Sequence, residues 1–370
     1  MRDKETVLGL LELADIKVGG KRPYDITVHN DRFYHKALTQ RELGLGESYM
    51  SGWWDVQRLD EFIAKILSAN LKDKIKITPS IAKTFLISYF SNRQTKAKAS
   101  KNASFHYNIG NDLYELMLDK RMIYSCGYWN GVKNLDQAQE AKLHLICRKL
   151  HLKKGMTLLD IGCGWGGLAE FAAKKYGVKV TGITPAEEQV KLAKARVKGL
   201  NVKIFKKDYR DITGTYDRIV SVGMLEHVGP KNYRQFFEAC ERHLAKDGIM
   251  LHHTIGSNNS SYSTNPWFDK YIFPGGVIPS LAQITRAVEK KLVIEDVHNF
   301  GPDYDKTLMA WYDNFTKNYP KLKNDYDQRF YRMWTFYLLS SAGSFRTRQL
   351  QLWQIVMRKI QPSDKYITAR

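Results

Sequence analysis

The sequence predicts an α/β fold, a mostly parallel sheet covered by helices and preceded by a small, mainly helical N-terminal domain. Three observations carry that reading. From about Thr157, short apolar runs alternate with amphipathic stretches, as in a parallel sheet covered on both faces. A glycine-rich loop, Leu159-Asp-Ile-Gly-Cys-Gly-Trp-Gly-Gly167, stands between the first of these runs and a helix. Ahead of this region the apolar spacing is helical, with a single strand-like run.

In chain order, residues 5–16, 33–38 and 59–71 have the spacing of short helices, and Asp25-Ile-Thr-Val-His-Asn30 reads as a strand. Residues 1–50 carry eight basic and eight acidic side chains and are neutral. From Lys72 to Lys101 the balance shifts to +7, with Lys72, Lys74, Lys76, Lys83, Arg93, Lys96, Lys98 and Lys101 against Asp73. Within that stretch Phe85, Leu86, Tyr89 and Phe90 share one side of an expected helix with flanking lysines. Such a helix suits either an anionic bilayer surface or the protein's own core. Strands are expected at Thr157–Gly162, Lys179–Thr184, Asn201–Phe205, Asp217–Val222 and Gly248–Ile255, separated by helices at 167–176, 187–198 and 232–245. Further strands fall at Leu292–Val297 and Leu352–Met357, with helices at 306–318 and 326–342. The expected organisation is an N-terminal domain over 1–90, a basic linker over 91–104 and a catalytic domain over 105–370.

With 370 residues, 43% of them hydrophobic, the chain can bury a sizeable core, which excludes a disordered or fibrous protein. A net charge of +20 calls for an anionic partner, nucleic acid or a phospholipid surface. No apolar run reaches the ~18 residues of a membrane span, and the opening Met1-Arg-Asp-Lys-Glu lacks a secretory signal's apolar segment. A cytoplasmic protein is expected. Cys126, Cys147, Cys163 and Cys240 form no C-x-x-C pair, so free thiols and no metal site are expected.

The glycine loop lies where the C-terminal edge of a parallel sheet binds cofactors, and glycines there let the backbone turn sharply and approach a ligand. With Asp160 before Gly162 and Gly164, and Gly166 and Gly167 opening the helix, it resembles the S-adenosylmethionine loop of class I methyltransferases, whose Rossmann-like fold it implies. Where such enzymes usually end the second strand in an acidic residue, this chain has Thr184, then Pro185 and Gln189. Thr184 or Gln189 is therefore the expected contact to ribose or to the methionine end. Asp208, just past the third strand, is placed for the adenine amino group, or else caps a turn.

Further blocks narrow the resemblance. They are Leu43-Gly-Leu-Gly-Glu-Ser-Tyr-Met-Ser-Gly-Trp-Trp54, Phe105-His-Tyr-Asn-Ile-Gly-Asn-Asp-Leu-Tyr114, Tyr124-Ser-Cys-Gly-Tyr-Trp129, Gly223-Met-Leu-Glu-His-Val-Gly-Pro-Lys-Asn-Tyr233, Leu251-His-His-Thr-Ile-Gly256 and Phe300-Gly-Pro-Asp-Tyr-Asp-Lys-Thr-Leu-Met-Ala-Trp311. Together, from about residue 43 to Arg370, the chain resembles the cyclopropane-fatty-acyl-phospholipid synthase family. The resemblance implies seven strands with the last antiparallel. It implies delivery of a methylene from S-adenosylmethionine to the cis double bond of an acyl chain in a membrane phospholipid. It further implies a homodimer bound peripherally to the inner face of the membrane, and a bound bicarbonate as the general base. Its ligands carry over to Cys126, Glu226, His253, the Ile255 backbone and Tyr304, while Tyr124, Ser125 and the backbone at Gly162 and Gly164 meet the methionine portion of the cofactor.

Phe105–Tyr114 is expected to fold over the site as a lid. Ser257–Pro279, with Trp267, Phe268, Tyr271, Ile272 and Phe273, either walls an acyl tunnel or forms a core patch. His227 and His252 are read as structural neighbours of the site residues, and Cys163 as present for its size. Gly127 stands where a small residue such as alanine is expected. Rival readings are a methyltransferase that leaves the ring open or acts on a small amine, a nucleic-acid methyltransferase, and a silent lipid-binding protein. No nucleic-acid partner is expected, because Gly223-Met-Leu-Glu-His stands where base-amine methyltransferases carry an Asn-Pro-Pro-Tyr type motif.

Overall fold

The computed structural model describes residues 2–71, 94–95 and 110–370. The basic stretch from Lys72, the apolar side at Phe85–Phe90, the lysines at 96, 98 and 101, and the first half of the expected lid lie outside the described residues. In the N-terminal part, helices α1 (Arg2–Leu13), α2 (Arg32–Met50) and α3 (Leu59–Ser68) enclose a two-stranded antiparallel ribbon of β1 (Ile26–Val28) and β2 (Trp54–Val56). The expected helix over 33–38 is thus much longer. Arg41, at φ 50°, breaks it, and the Leu43-to-Met50 block continues it beyond the kink. Gly44 and Gly46 serve that packing: a Cβ at Gly46 would lie 2.4 Å from the Trp267 indole.

After α4 (Asn111–Met117) and α5 (Leu135–Lys149) the chain alternates strand and helix: β3 (Thr157–Ile161), α6 (Gly167–Tyr176), β4 (Lys179–Thr184), α7 (Glu187–Arg196), β5 (Val202–Lys206), β6 (Tyr216–Val222), α8 (Tyr233–His243) and β7 (Leu244–Ser257). The remainder is α9 (Pro266–Tyr271), α10 (Leu281–Val288), β8 (Leu292–Asn299), α11 (Pro302–Leu322), α12 (Gln328–Arg346) and β9 (Leu350–Lys359). The seven larger strands form one sheet in the order β5-β4-β3-β6-β7-β9-β8, parallel except at β9, which runs antiparallel to both neighbours. Strand order reverses between β3 and β6, and the crevice at the carboxyl ends there is where open α/β sheets bind ligands.

Local sequence explains the ends of several elements. Asn134 caps α5 by accepting a hydrogen bond from the Gln137 N–H at 3.0 Å. Ser280 and Gln283 form a reciprocal capping box on α10. The central strands β3 and β6 have long buried runs, as expected for strands covered on both faces.

The N-terminal elements do not have a core of their own. Phe33, Tyr49, Trp54 and Phe62 belong to the same apolar cluster as Trp311 on α11 and Trp334 and Phe336 on α12. Polar contacts reinforce the seam. The Arg332 guanidinium donates to the Trp54 carbonyl at 2.9 Å and pairs with Asp55 at 2.7 Å. Buried Asp60 receives Arg58 at 2.8 Å and Arg346 at 2.7 Å, and Arg346 also meets Asp305 at 2.9 Å. Burial opposes the charge on Asp60, but the two arginines win and hold its pKa below the ordinary value.

Asp60→Asn should therefore cost about 2 kcal/mol at neutral pH, since it leaves two arginines facing a neutral amide that is screened only partly by solvent. Because the folded pKa is depressed, that stability is present above the unfolded value of 3.8 and disappears as pH falls through the folded one. Urea unfolding at pH 7 and again under strong acid should show the difference from wild type shrinking.

Candidate active site

A cavity opens at the carboxyl ends of β3, β4 and β6, and the cofactor residues nominated from sequence, Tyr124, Ser125, Asp160, Gly162, Gly164, Thr184, Gln189 and Asp208, all line it. Its floor is the glycine loop. Gly162 has φ 85° and Gly166, capping α6, has φ 80°, conformations that side chains disfavour. A Cβ at Gly166 would also press on Ala193 at 3.2 Å. Cys163 is packed against Gly182, where a Cβ would lie 3.0 Å from its sulfur, consistent with selection for size.

Around that floor the side chains are fixed in pairs. The Thr184 hydroxyl donates to Gln189 Oε1 at 2.8 Å, so both candidates for the ribose or methionine end stand side by side. Asp208 accepts from the Arg210 N–H at 2.9 Å and pairs with the Arg210 guanidinium at 3.0 Å. It caps the turn over Tyr209–Asp211 and lines the cavity as well. Asp160 is buried at the end of β3, its pKa pushed up to about 7 by desolvation. The described half of the expected lid packs against the loop. Asn111 Oδ1 accepts from the Trp165 indole at 3.1 Å, and the Tyr114 ring lies 4.9 Å from Trp165 and 5.2 Å from Tyr124.

The nominated base-site residues occupy two neighbouring groups. On the sheet edge, the Ile255 N–H donates to Glu226 Oε1 at 2.6 Å, and His253 lies two residues earlier on β7. Glu226 is buried, and desolvation raises its pKa to about 7. Its Oε2 has no hydrogen-bond partner among the described residues. His253 Nδ1 lies 3.4 Å from the Gln354 side-chain amide. Nε2 is likewise buried without a partner among the described residues. Desolvation holds this imidazole well below its ordinary pKa, and therefore neutral.

The second group sits against α11. Thr307 gives its hydroxyl proton to the Asp303 carbonyl at 2.8 Å, accepts from the Gly127 N–H at 3.0 Å and lies 3.9 Å from the Cys126 sulfur, while Tyr304, one turn earlier, packs on Phe345 at 4.5 Å. Phe300 links the groups, with its ring 5.8 Å from His253 and 5.3 Å from Tyr128. Burial pushes the Cys126 thiol well up, so it is a neutral, weakly polar group and not a nucleophile. Gly127 also acquires a reason: a Cβ there would meet the Ala138 methyl at 2.9 Å, so alanine does not fit.

Two histidine readings separate. His252 points to the opposite face of the sheet, between Phe236 at 5.9 Å and Phe237 at 5.6 Å, as strand alternation requires. His227 departs from that expectation. It belongs to a 3-10 turn over Leu225–His227, where strand alternation does not apply, and its ring lines the cofactor cavity 5.6 Å from Phe273. The 257–279 segment divides: Trp267 and Ile272 are core, whereas Phe268, Tyr271 and Phe273 are half-buried. Sequence reasoning also passed over α5, whose Gln139 and Lys142 reach beneath the Tyr124-Ser125-Cys126 turn. The available signal was a lysine on the apolar side of a helix.

The strand order, the reversed last strand and the glycine-loop cavity define a class I S-adenosylmethionine-dependent methyltransferase. Residues 94–355 match the family model for mycolic acid cyclopropane synthetase, and the chain belongs to that family. It is 50% identical over 354 residues to the cyclopropane-fatty-acyl-phospholipid synthase of Escherichia coli strain K12, covering 95% of this chain and 92% of that protein. A probable fatty acid methyltransferase of Pseudomonas putida is 38% identical over 280 residues, 72% of this chain and 70% of that one. Among solved structures, mycolic acid cyclopropane synthase CmaA1, complexed with SAH and CTAB, aligns with a TM-score of 0.66 at 30% identity, covering 70% of this chain and 98% of that one. Coclaurine N-methyltransferase aligns at 0.69 but 22% identity, covering 85% of this chain and 99% of that one, and shares the fold alone.

A buried acid with a raised pKa makes stability fall as pH rises, because the unfolded chain ionises near 4.5 while folded Glu226 stays protonated to about 7. Glu226→Gln keeps the acceptor for Ile255 and removes that ionisation. The variant should lose up to roughly 3 kcal/mol of the decline between pH 4.5 and 7, measurable by denaturant unfolding at the two ends of the window.

Proposed function

We propose that this protein transfers a methylene derived from S-adenosylmethionine to the cis double bond of an acyl chain esterified in a membrane phospholipid, closing a cyclopropane ring. The observation that carries the reading is the match to the Escherichia coli cyclopropane-fatty-acyl-phospholipid synthase, which spans 95% of the chain and so takes in N-terminal elements as well as the cofactor cavity. S-adenosylmethionine supplies an electrophilic methyl, and bicarbonate supplies a base for the proton lost on ring closure.

The chain's own groups suit this chemistry. An alkene is a weak nucleophile, so rate must come from alignment and exclusion of water, and Tyr124 and Trp165, which line the cavity, are backed by the Trp311 and Tyr114 rings. A small oxyanion would satisfy both Glu226 Oε2 and His253 Nε2, which are buried and without partners among the described residues. At neutral pH and below, the Glu226 carboxyl can donate a proton in a hydrogen bond, and the neutral His253 can donate from Nε2. The Ile255 N–H is already given to Glu226, so it would serve the anion only by sharing. Cys126 and the Tyr304 phenol complete the inferred ligand set.

The N-terminal domain and the basic stretch to Lys101 are proposed to dock on anionic phospholipid, so that an acyl chain can leave the bilayer for the pocket. Among the described residues no helix is long and apolar enough to cross a membrane. The match to a cyclopropane-forming synthase over 95% of the chain favours ring closure over the ring-open rival.

Mass spectrometry of cis-unsaturated phospholipid vesicles incubated with the protein and methyl-labelled S-adenosylmethionine tests the reading. The expected product gains one labelled methylene and loses its alkene; a branched product that keeps the alkene would overturn ring closure. Glu226→Ala should reduce product about 100-fold or more while affinity for S-adenosylhomocysteine stays within threefold. Replacing Lys96, Lys98 and Lys101 together by glutamate should lower turnover on anionic vesicles with cofactor affinity preserved, and unchanged turnover would remove this segment from docking.

A further inference from the structure

Lys142 lies in the middle of α5 with its side chain in the protein interior, about 1% exposed, and it lines the cofactor cavity. Placing an ammonium there is costly unless a counter-charge arrives. Among the described residues its Nζ has one hydrogen-bond acceptor, the Ser125 hydroxyl oxygen at 2.7 Å. An ammonium can only donate, so Ser125 must accept, and the serine's own proton is left to point elsewhere. One turn earlier on the same helix, Gln139 donates to the Ser125 carbonyl at 2.8 Å and fixes the backbone of the turn. Serine is thereby oriented as a donor backed by a positive charge.

The surrounding titratable groups are Asp119, Asp160, Cys126 and His253, of which Cys126 is a neutral thiol. Asp119 is engaged by the Ile123 and Arg121 N–H groups at 2.7 and 3.0 Å, and His253 is neutral. Asp160 also lines the cavity, and its Oδ2 is buried without a hydrogen-bond partner among the described residues. One end of the cavity therefore presents a buried cation behind a hydroxyl donor beside a buried carboxyl. That pairing complements an α-amino acid zwitterion, an ammonium towards Asp160 and a carboxylate towards Ser125 and Lys142.

We propose that Lys142, acting through the Ser125 hydroxyl, recognises the carboxylate of the amino-acid end of the cofactor. This rests on the cavity being the S-adenosylmethionine site. Lys142 is a positioning residue: it sets the direction of the serine donor and supplies the compensating charge, and the carboxylate in turn relieves the cost of a buried ammonium.

Calorimetric titration with S-adenosylhomocysteine and with its carboxamide, which differs only at the carboxylate, tests this without turnover. Wild type should prefer the acid by about tenfold or more. Lys142→Met, which matches the side chain in length and suits an apolar interior, should bind the two within about threefold of each other, the loss falling on the acid. Ser125→Ala should narrow the preference in the same direction. A Lys142→Met protein that keeps the full preference overturns the proposal, as does equal weakening towards both ligands, which would mark a merely structural lysine. If Lys142→Met binds neither ligand, Ser125→Ala decides, and an undiminished preference in that variant overturns the relay. Failure of wild type to bind S-adenosylhomocysteine would refute the cofactor reading itself, an outcome distinct from all of these.

Discussion

The site is organised around a carboxyl group that has been taken out of water and tied to a strand. Glu226 leaves the end of β6 on a 3-10 turn and is drawn back across the sheet edge by the Ile255 N–H of β7. That bond holds Oε1, and Oε2 is buried with no partner among the described residues. Desolvation then keeps the group protonated up to about pH 7, which turns an acid into a donor. His253, on the same strand, is held neutral by the same burial. Two buried groups with unpartnered polar atoms on one sheet edge are what the proposed bicarbonate site would draw on.

The cofactor end depends on a similar economy of buried charge. Lys142 and Asp160 sit within one cavity, and desolvation pushes both toward their neutral forms, the lysine down to about 8 and the acid up to about 7. Helices α11 and α12 join this region to the N-terminal elements. Trp311 meets the Tyr124 ring at 5.1 Å on one side, while Phe336 meets Trp267 at 4.7 Å and Tyr49 at 5.8 Å on another. Displacement of the N-terminal elements would therefore be felt at aromatic contacts of α12, whose Tyr337 hydroxyl is 2.7 Å from that of Tyr124. That continuity gives a physical route between the proposed docking surface and the pocket.

Much of this was legible in the sequence. Strands such as Thr157–Ile161 and Tyr216–Val222 are buried on both faces and read as apolar runs, and the glycine loop marks the switch point by its position between strand and helix. Of the eight cofactor residues on one cavity, Asp160, Gly162, Gly164, Thr184 and Asp208 lie at or just past strand ends, whereas Tyr124 and Ser125 came from the family resemblance. Other features required tertiary contacts. The kink at Arg41 has no glycine or proline to announce it, and the helix beyond it contains Gly44 and Gly46, which helix propensity argues against but close packing on Trp267 demands. His227 was misread because the strand ends at Val222 and a turn follows, so alternation no longer decides its direction. Lys142 went unnoticed because a lysine in an amphipathic helix ordinarily faces solvent, and only the arrival of Ser125 beneath α5 makes its burial tolerable.

The protonation of Glu226 is the claim on which the proposed bicarbonate site rests, and infrared difference spectroscopy between wild type and Glu226→Gln reads it directly. The account predicts a protonated carboxyl band in the wild type that is absent from the variant and titrates away near pH 7. A carboxylate signature at Glu226 already complete at pH 5 would contradict it, and would put a negative charge where the proposed bicarbonate would have to sit.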